Sequence, residues 1–279
     1  MGSGSAAGGG TLMAVTEPIV GPVPAARTSP ACVCGPEPAR GRPGPLRLRA
    51  AGKSDVGKVR THNEDGFLVS PTLCLVADGL GGHAGGEIAS HMAIELVSSA
   101  FRADPTFHGL ASGYDGANTA IRERPASELH LVGMATTLCA LAAVEDGLLV
   151  VNLGDSRAYQ LVRDELTQVT HDDSVVHQAV LAGLLTAEAA RVHPQRNLVT
   201  AALGFSGEVN ARAYHPDPKA TRLLLCTDGL TEEVADEQIS EILLAHDEPT
   251  AAADALVVTA LDAGGSDNVT VIVADPEPA

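Results

Sequence analysis

The sequence contains no tryptophan, and aromatic residues make up only 3% of its 279 positions, although 45% are hydrophobic. Alanine, valine and leucine therefore have to pack the core, which a chain of this length is long enough to form. No apolar run approaches the ~18 residues that a membrane-spanning helix needs, and the N-terminus lacks the pattern of a secretion signal. We therefore expect a soluble, cytoplasmic protein that does not enter a membrane.

Positive charge is also scarce, because 18 Lys and Arg residues are outnumbered by 35 Asp and Glu residues, for a net charge of −17. This balance argues against nucleic acid as a partner, since a phosphate backbone requires a basic surface. Residues 1–53 carry a net charge of +4, so the rest of the chain carries −21. An acidic domain that handles phosphate would need cations to reverse its local charge.

The five cysteines are an odd number and do not suggest a secreted disulfide framework. Cys74, Cys139 and Cys226 each lie in an apolar run, which predicts buried thiols. Cys32 and Cys34 lie in a Pro/Gly-rich stretch, where a metal-binding pair is the less favoured alternative.

The chain divides into a tail and a folded part. Residues 1–44 are dominated by Gly, Ala, Pro, Ser and Thr, and such a segment cannot bury enough apolar surface to offset its ordering entropy. We predict a disordered extension over residues 1–44 and one domain over residues 45–275, without internal repeats.

Apolar patterning and turn residues predict short strands and grouped helices within this domain. The predicted strands cover residues 66–70, 73–77, 135–144, 148–153, 158–162, 166–169, 222–226 and 269–274. The predicted helices cover residues 84–101, 114–124, 236–245 and 250–263, and residues 174–191 are polar and helix-prone. Antiparallel strands in series with grouped helices predict an α+β sandwich and not a wound parallel sheet.

Three predicted strands run directly into a turn that contains an aspartate: Asp78, Asp155 and Asp228. A fourth, Asp267, precedes the last strand. Each alone is an ordinary turn residue. Together, acidic groups at the ends of neighbouring buried strands would repel one another unless cations lay between them. Oxygen-only ligation favours Mg²⁺ or Mn²⁺ over zinc.

The glycine-rich run that starts at Asp78 links a strand to a helix and loosely fits a dinucleotide-binding loop. The Asp78 carboxylate argues against that interpretation, because it would face a pyrophosphate with no intervening cation. The glycines are better explained by a close approach of the backbone, particularly the Gly79 carbonyl, to a metal.

Arg60 is followed at four and five residues by Glu64 and Asp65. An arginine is most often a surface or ion-pairing residue. Close to a metal cluster, however, Arg60 is a candidate to hold two phosphate oxygens with its guanidinium group.

Seven motifs in order carry a family resemblance: S-D-x-G-x-x-R-x-x-N-E-D, D-G-L-G-G-H-x-x-G-E-x-A-S, G-M-A-T-T-L, G-D-S-R-x-Y, H-P-Q-R-N, C-T-D-G-L-T and S-D-N-V-T. Residues 46–275 resemble the metal-dependent type 2C (PPM) protein phosphatases, and most of all the bacterial branch that opposes Hanks-type serine/threonine kinases. The resemblance implies a four-layer α-β-β-α sandwich with two central antiparallel sheets and metals in a cleft at one edge.

The resemblance also implies ligands. Asp78 would bridge two Mn²⁺ or Mg²⁺ ions, the Gly79 carbonyl would complete the second, and Asp228 and Asp267 would hold the first. Asp155 would hold a third ion together with Asp228, and Asn197 occupies the place of a contact from the mobile flap. A hydroxide bridging the two core ions would then hydrolyse phosphoserine or phosphothreonine in line.

The remaining implied roles are those of the residues around the ions. Arg60 would bind the substrate phosphate, and Glu64 and Asp65 would act on water or support the metal ligands. The general acid is not identified. His83 is a candidate for proton transfer, although it also fits a structural role in the loop.

The sequence departs from the family pattern at three places, none of them a metal ligand. They are Ala135 for a usual glycine, Asp173 for a usual histidine, and Ala201 for a usual arginine after the flap. The flap corresponds to residues 173–196. These departures put the behaviour of the flap and the choice of substrate in doubt, but not the reaction.

Two alternatives remain beside an active phosphatase: a catalytically weak or silent regulatory or binding module of the same fold, and a phosphatase acting on an anti-sigma-factor antagonist. The intact aspartates argue against the first, and the short tail argues against the second. As partners we expect phosphorylated proteins, among them a serine/threonine kinase and its substrates. We expect a monomer.

Overall fold

Two antiparallel sheets form the centre of the structure, a computed structural model that describes residues 46–81, 84–126 and 128–279. The first sheet contains, in spatial order, β1 (Leu46–Asp55), β12 (Val269–Pro278), β11 (Arg222–Cys226), β8 (Arg157–Val162) and β9 (Glu165–Gln168). The second contains β10 (Arg212–Tyr214), β7 (Gly147–Leu153), β6 (Leu138–Val144), β3 (Leu73–Ala77) and β2 (Gly66–Val69). Two short strands, β4 (Gly79–Leu80) and β5 (Ala135–Thr136), pair with each other.

The helices fall into two groups along the sequence, and the long helices of each group cover the outer faces of the sheets. Those of the N-terminal half are α1 (Ala84–Ala103) and α2 (Phe107–Glu123), followed by 3₁₀ turns at Arg124–Ala126 and Leu129–Leu131. Those of the C-terminal half are α3 (Val175–Leu181), α4 (Ala187–Arg191), α5 (Asp228–Thr231), α6 (Asp236–Ala245) and α7 (Pro249–Ala263). Among these described helices, none combines the length and the apolar character that crossing a bilayer requires.

The alternation of side chains along β3 shows why its five residues are all buried. Leu73 and Leu75 point outward into a core shared with α1 and α2, whereas Cys74 and Val76 point into the space between the sheets. On the opposite side, the outer face of β11 and β12 packs against α6 and α7. The predicted α+β sandwich with layers in the order α-β-β-α is therefore confirmed.

The connection between the sheets was not evident from the strand order. The predicted run of four strands splits after β7, because β6 and β7 belong to the second sheet and β8 and β9 to the first. The chain crosses between the sheets at Gly154, Asp155 and Ser156. The strands β1 and β10 were not predicted, although β1 starts with an alternation of leucine and arginine at residues 46–49 that indicates a strand. The three residues of β10 are too few to show a pattern.

Helix α2 begins at Phe107, seven residues before the predicted start at Tyr114. Thr106 caps it by accepting a hydrogen bond from the Gly109 N–H. Gly113 lowers the helical propensity of this segment but packs against α1, where an added Cβ would lie 2.9 Å from the Val97 Cα. Close helix packing therefore outweighs local propensity here.

The predicted burial of Cys74, Cys139 and Cys226 is confirmed, and all three are free thiols. The predicted disordered extension and the possible Cys32/Cys34 pair lie outside the described residues.

Candidate active site

Four aspartates lie at strand ends on one edge of the sandwich. Asp78 follows β3, Asp155 lies between β7 and β8, Asp228 opens α5 directly after β11, and Asp267 lies two residues before β12. The other three carboxylates all lie close enough to Asp78 to raise its pKa. The structure therefore brings together the aspartates that the sequence analysis selected.

Asp78 and Asp228 form the centre of this cluster. Both side chains are partly exposed to solvent, yet burial is the largest cause of the rise in their pKa values. Burial raises the pKa of Asp78 well above its ordinary value, with Asp228 adding to the rise. Burial, followed by the charge of Asp267, raises the pKa of Asp228 to about 6, and the Asp78 and Asp228 carboxyl groups lie within hydrogen-bonding distance. A cation between them would remove their mutual repulsion.

Asp65 lies beside the cluster with only one of its two oxygens bonded. Its Oδ2 atom accepts hydrogen bonds from Thr227 Oγ1 at 2.9 Å and Thr270 Oγ1 at 2.6 Å. Its Oδ1 atom is buried and has no hydrogen-bond partner among the described residues. Burial raises the pKa of Asp65 to about 7, against the effect of the two threonines. An unpartnered carboxylate oxygen in an acidic site suits a cation or a cation-bound water.

Arg60 lies on the exposed side of a cleft of about 370 Å³, which Glu64, Asp78, Gly79 and Asp267 also line. Its Nη2 atom donates to Asp267 Oδ2 at 2.7 Å, and its side chain is 54% exposed. A positive group thus borders the acidic cluster where a substrate would enter. A second cleft of about 350 Å³, beside β8 and β9, contains none of the predicted site residues.

Gly79 permits a close approach of three backbone segments. It is buried, and an added Cβ would collide with the backbone of Gly86 and lie 2.5 Å from the Glu64 carbonyl oxygen. The Glu64 N–H donates to Asn268 Oδ1 at 2.8 Å. Since Asn268 directly follows Asp267, one amide side chain connects the Glu64 loop to the last strand-end aspartate.

Asp155 belongs to the acidic cluster but does not line the cleft. It is 7% exposed, and burial, with Asp228 as the next cause, raises its pKa well above its ordinary value. Gly154 precedes it with a φ of +108°, and an added Cβ there would lie 2.6 Å from the Thr137 side chain. The Thr137 and Ser156 hydroxyl groups share a hydrogen bond of 2.8 Å. The turn is therefore packed tightly enough to fix the direction of Asp155.

The flap, residues 173–196, contains α3 and α4. Near its end, Arg196 Nε lies 3.5 Å from Glu232 Oε1, and Glu232 directly follows α5. Asn197 is exposed beside Arg196 and is not among the residues that line the cleft. His83 lies outside the described residues. The roles of these two residues stay predictions.

The donors around Asp78 fit a hard divalent cation, because they are all oxygen atoms and one of them, Asp65 Oδ1, is buried without a partner. No three acidic, histidine or cysteine side chains within residues 46–81, 84–126 and 128–279 already converge as a closed metal shell. Protein partners direct two of the carboxylates, since Asp267 is bonded to Arg60 and Asp65 to two threonines.

A protein-family model described as "Protein phosphatase 2C" matches residues 58–258. The chain belongs to this family. Its members, also called PPM phosphatases, are metal-dependent serine/threonine protein phosphatases. The resemblance seen in the seven motifs is thereby confirmed.

Curated relatives agree with this assignment. The serine/threonine protein phosphatase PstP of Mycobacterium tuberculosis is 42% identical over 234 residues, a match that covers 82% of this chain and 45% of PstP. The serine/threonine phosphatase stp of Listeria innocua is 35% identical over 241 residues, which cover 82% of this chain and 96% of that protein. The chain thus spans about half the length of PstP and nearly all of the Listeria protein.

The fold also matches solved PPM structures. The catalytic domain of PstP in complex with two manganese ions superposes with a TM-score of 0.76 at 40% identity, covering 83% of this chain and 99% of that one. The two central sheets and their flanking helices are therefore those of the PPM fold.

The PPM site also uses residues that the sequence analysis did not select. They hold the acidic groups in place: Thr136, Thr137, Thr227, Asn268 and Thr270. All five lie inside the quoted motifs, and Thr227, Asn268 and Thr270 lie within three residues of a strand-end aspartate. Their position in those motifs was a signal, but the acidic residues that they bond lie 58 to 205 residues away.

Proposed function

We propose that this chain hydrolyses phosphoserine and phosphothreonine in proteins with the help of Mn²⁺ or Mg²⁺ ions. The observation that carries the proposal is the cleft in which Arg60 borders Asp78 and Asp267, with Asp228 directly behind them. A phosphoryl group needs positive charge on its oxygens and a nucleophile in line. The cleft offers a guanidinium group beside a set of cation ligands, and thus suits that chemistry.

In this proposal Asp78, the Gly79 carbonyl, Asp228 and Asp267 hold two core ions. Asp155, with Asp228 and Asn197, holds a third. The ions would lower the pKa of a bound water and so supply a nucleophile near neutral pH. The crowding of raised-pKa carboxyl groups around Asp78 supports this assignment, because an uncompensated cluster of that kind is unfavourable.

The protein side chains have separate tasks. Arg60 is exposed enough to reach a phosphate, and its bond to Asp267 uses one nitrogen of the guanidinium group. We assign it to the phosphate oxygens, which it can hold in a bidentate manner. The unpartnered Oδ1 of Asp65 can accept a hydrogen bond from a water molecule. Glu64 lines the cleft beside Arg60.

The test is hydrolysis of an aryl phosphate and of a phosphothreonine peptide by the purified chain, after chelation and after addition of Mn²⁺ or Mg²⁺. We expect turnover with either ion and none after chelation. Turnover that is insensitive to chelation would contradict the metal assignment. Peptide binding without any metal-dependent turnover would instead identify a silent binding module.

The proposed partners are phosphorylated cytoplasmic proteins, among them a serine/threonine kinase and its substrates, and the proposed state is a monomer. The net charge of −17 supports a protein partner over nucleic acid. Loss of phosphate from an autophosphorylated kinase domain, followed by mass spectrometry, would test the partner. Light scattering would test the monomer.

A further inference from the structure

Asp173, the first residue of the flap, makes two hydrogen bonds to the Asp155 turn and one ion pair with Arg212. Its Oδ2 atom accepts from the Gly154 N–H at 3.0 Å, and its own N–H donates to the Gly154 carbonyl at 2.9 Å. Its Oδ1 atom accepts from Arg212 Nη2. Asp173 is only 6% exposed, so its bonds to Gly154 are shielded from water, whereas the Arg212 side chain is 46% exposed.

Arg212 lies on β10, which pairs with β7 at the edge of the second sheet. Two residues along the same strand, the Tyr214 hydroxyl accepts from the His171 N–H at 3.2 Å. The strand β10 therefore contacts the chain on both sides of Asp172. The chain around the start of the flap is thus bonded to β10 through Arg212 and Tyr214, and to the turn between β7 and β8 through Gly154.

The two ends of the flap meet in a short ladder that we call the flap root, formed by residues 173–175 and 198–200. The Thr200 N–H donates to the Asp173 carbonyl at 2.6 Å, and the Val175 N–H donates to the Leu198 carbonyl at 2.9 Å. Asp173 therefore belongs to the flap root and is also bonded to Gly154 of the Asp155 turn.

We propose that Asp173, held by Arg212, is a positioning residue that fixes the Asp155 turn and the flap root as one unit. The proposal rests on the proposed function. Without Arg212, Asp173 becomes an uncompensated carboxylate beside Asp172. Without the Asp173 carboxylate, the Gly154 N–H loses its acceptor and Asp155 loses its fixed direction. The pair would therefore set ion binding at Asp155 and the placement of the flap together.

The experiment compares Asp173→Ala, Arg212→Ala and Arg212→Lys with the unmodified chain. The matched control is Arg47→Ala, which removes an exposed arginine paired with Glu277 on the edge strand β1. Hydrogen exchange of the Gly154 and Thr200 amides is measured in chelator. The Mn²⁺ concentration for half-maximal turnover, and KM and kcat for a phosphopeptide, are measured separately.

We expect Arg212→Ala and Asp173→Ala to speed exchange at Gly154 and Thr200 by about tenfold. We also expect a several-fold rise in the half-maximal Mn²⁺ concentration and in KM, with a smaller change in kcat. Arg212→Lys, which keeps a positive partner for Asp173, should recover most of each effect. Unchanged exchange in both disruptive variants, or an equal change in Arg47→Ala, would overturn the proposal. Faster exchange in a chain without any phosphatase activity would support the positioning link and overturn the proposed function.

Discussion

Thr137 connects two of the acidic turns through one hydroxyl group. Its Oγ1 atom accepts from the Asp78 N–H at 3.0 Å and shares a hydrogen with Ser156 Oγ at 2.8 Å. Thr136 adds a hydrogen bond from its own hydroxyl to the Asp78 carbonyl at 2.8 Å. Two consecutive threonines therefore fix the backbone on both sides of the Asp78 peptide, which leaves its carboxylate to face the cleft.

Replacing Asp228 by Asn is expected to abolish metal-dependent turnover, because the amide loses the charge that a cation requires. We expect kcat/KM to fall by at least about a hundredfold. The fold should persist, since removal of one of several crowded carboxylates lowers their repulsion. Steady-state kinetics and thermal unfolding in chelator check both points. Asp254→Asn, on the exposed face of α7, is the control, and near-normal turnover by Asp228→Asn would show that the ligand assignment is wrong.

Replacing Arg60 by Ala is expected to weaken recognition of the phosphate. A charge-assisted contact of this kind is worth about 1.5–3 kcal/mol, or roughly a 10- to 100-fold loss of kcat/KM. Arg60→Lys should recover only part of the loss, because an ammonium group cannot bind two oxygens in parallel. Arg102→Ala on α1 serves as the control. Equal kinetics for Arg60→Ala and the control would exclude a role in phosphate binding.

At the scale of elements, a buried ion pair joins the first sheet to the helices behind it. Arg222 on β11 donates to both oxygens of Asp275 on β12, and it also donates to the carbonyls of Leu243 and His246 at the end of α6. These carbonyls belong to the last turn of the helix, where intrahelical partners are missing. One guanidinium group therefore holds two strands and one helix end together.

Arg222→Ala is expected to lower the free energy of unfolding by about 3–5 kcal/mol, because several carbonyls lose their donor and Asp275 keeps only the half-exposed Arg49 as its partner. The matched control is Arg49→Ala, which removes the second arginine bonded to the same Asp275. The Arg49 side chain is 42% exposed, so its loss should lower that free energy far less than the loss of Arg222. Urea unfolding measures both. Similar losses for the two variants would mean that burial does not govern this network.

At the scale of the whole molecule, the acidic cluster should make the metal-free protein sensitive to pH. Burial raises the pKa of Asp228 to about 6 and that of Asp65 to about 7, from 3.8 in the unfolded chain. The folded state therefore holds more protons than the unfolded state between these values. The resulting stability is complete below pH 4, about the unfolded pKa, and is lost as the pH rises through about 6 to 7.

We therefore expect the melting temperature in chelator to fall between about pH 4 and pH 7, by an amount that corresponds to a few kcal/mol. Added Mn²⁺ should restore stability at the higher pH, since it binds only the folded site. The overall negative charge also grows with pH, so Asp65→Asn serves to separate the two causes and should flatten the fall. A melting temperature that rises over this range in chelator would contradict the raised pKa values.

The sequence by itself predicted the layers of this protein and the candidate ligands of its site. Strands such as β3 and β11 are continuous apolar runs that end in an aspartate at a turn, and both features are local. Burial of the run and the preference of Asp for the turn therefore place Asp78 and Asp228 at a sheet edge in any compact fold. The seven ordered motifs added the family, which local patterns alone could not supply.

Only the tertiary structure decided which partners these residues have. Asp65 meets Thr227 and Thr270 across 162 and 205 residues of sequence, and Arg60 meets Asp267 across 207. The short strand β10, which places Arg212 beside Asp173, has no apolar pattern in its sequence. It forms because it pairs with β7 at the edge of the second sheet. Such contacts depend on the free energy of packing distant segments together, and no window of neighbouring residues encodes that quantity.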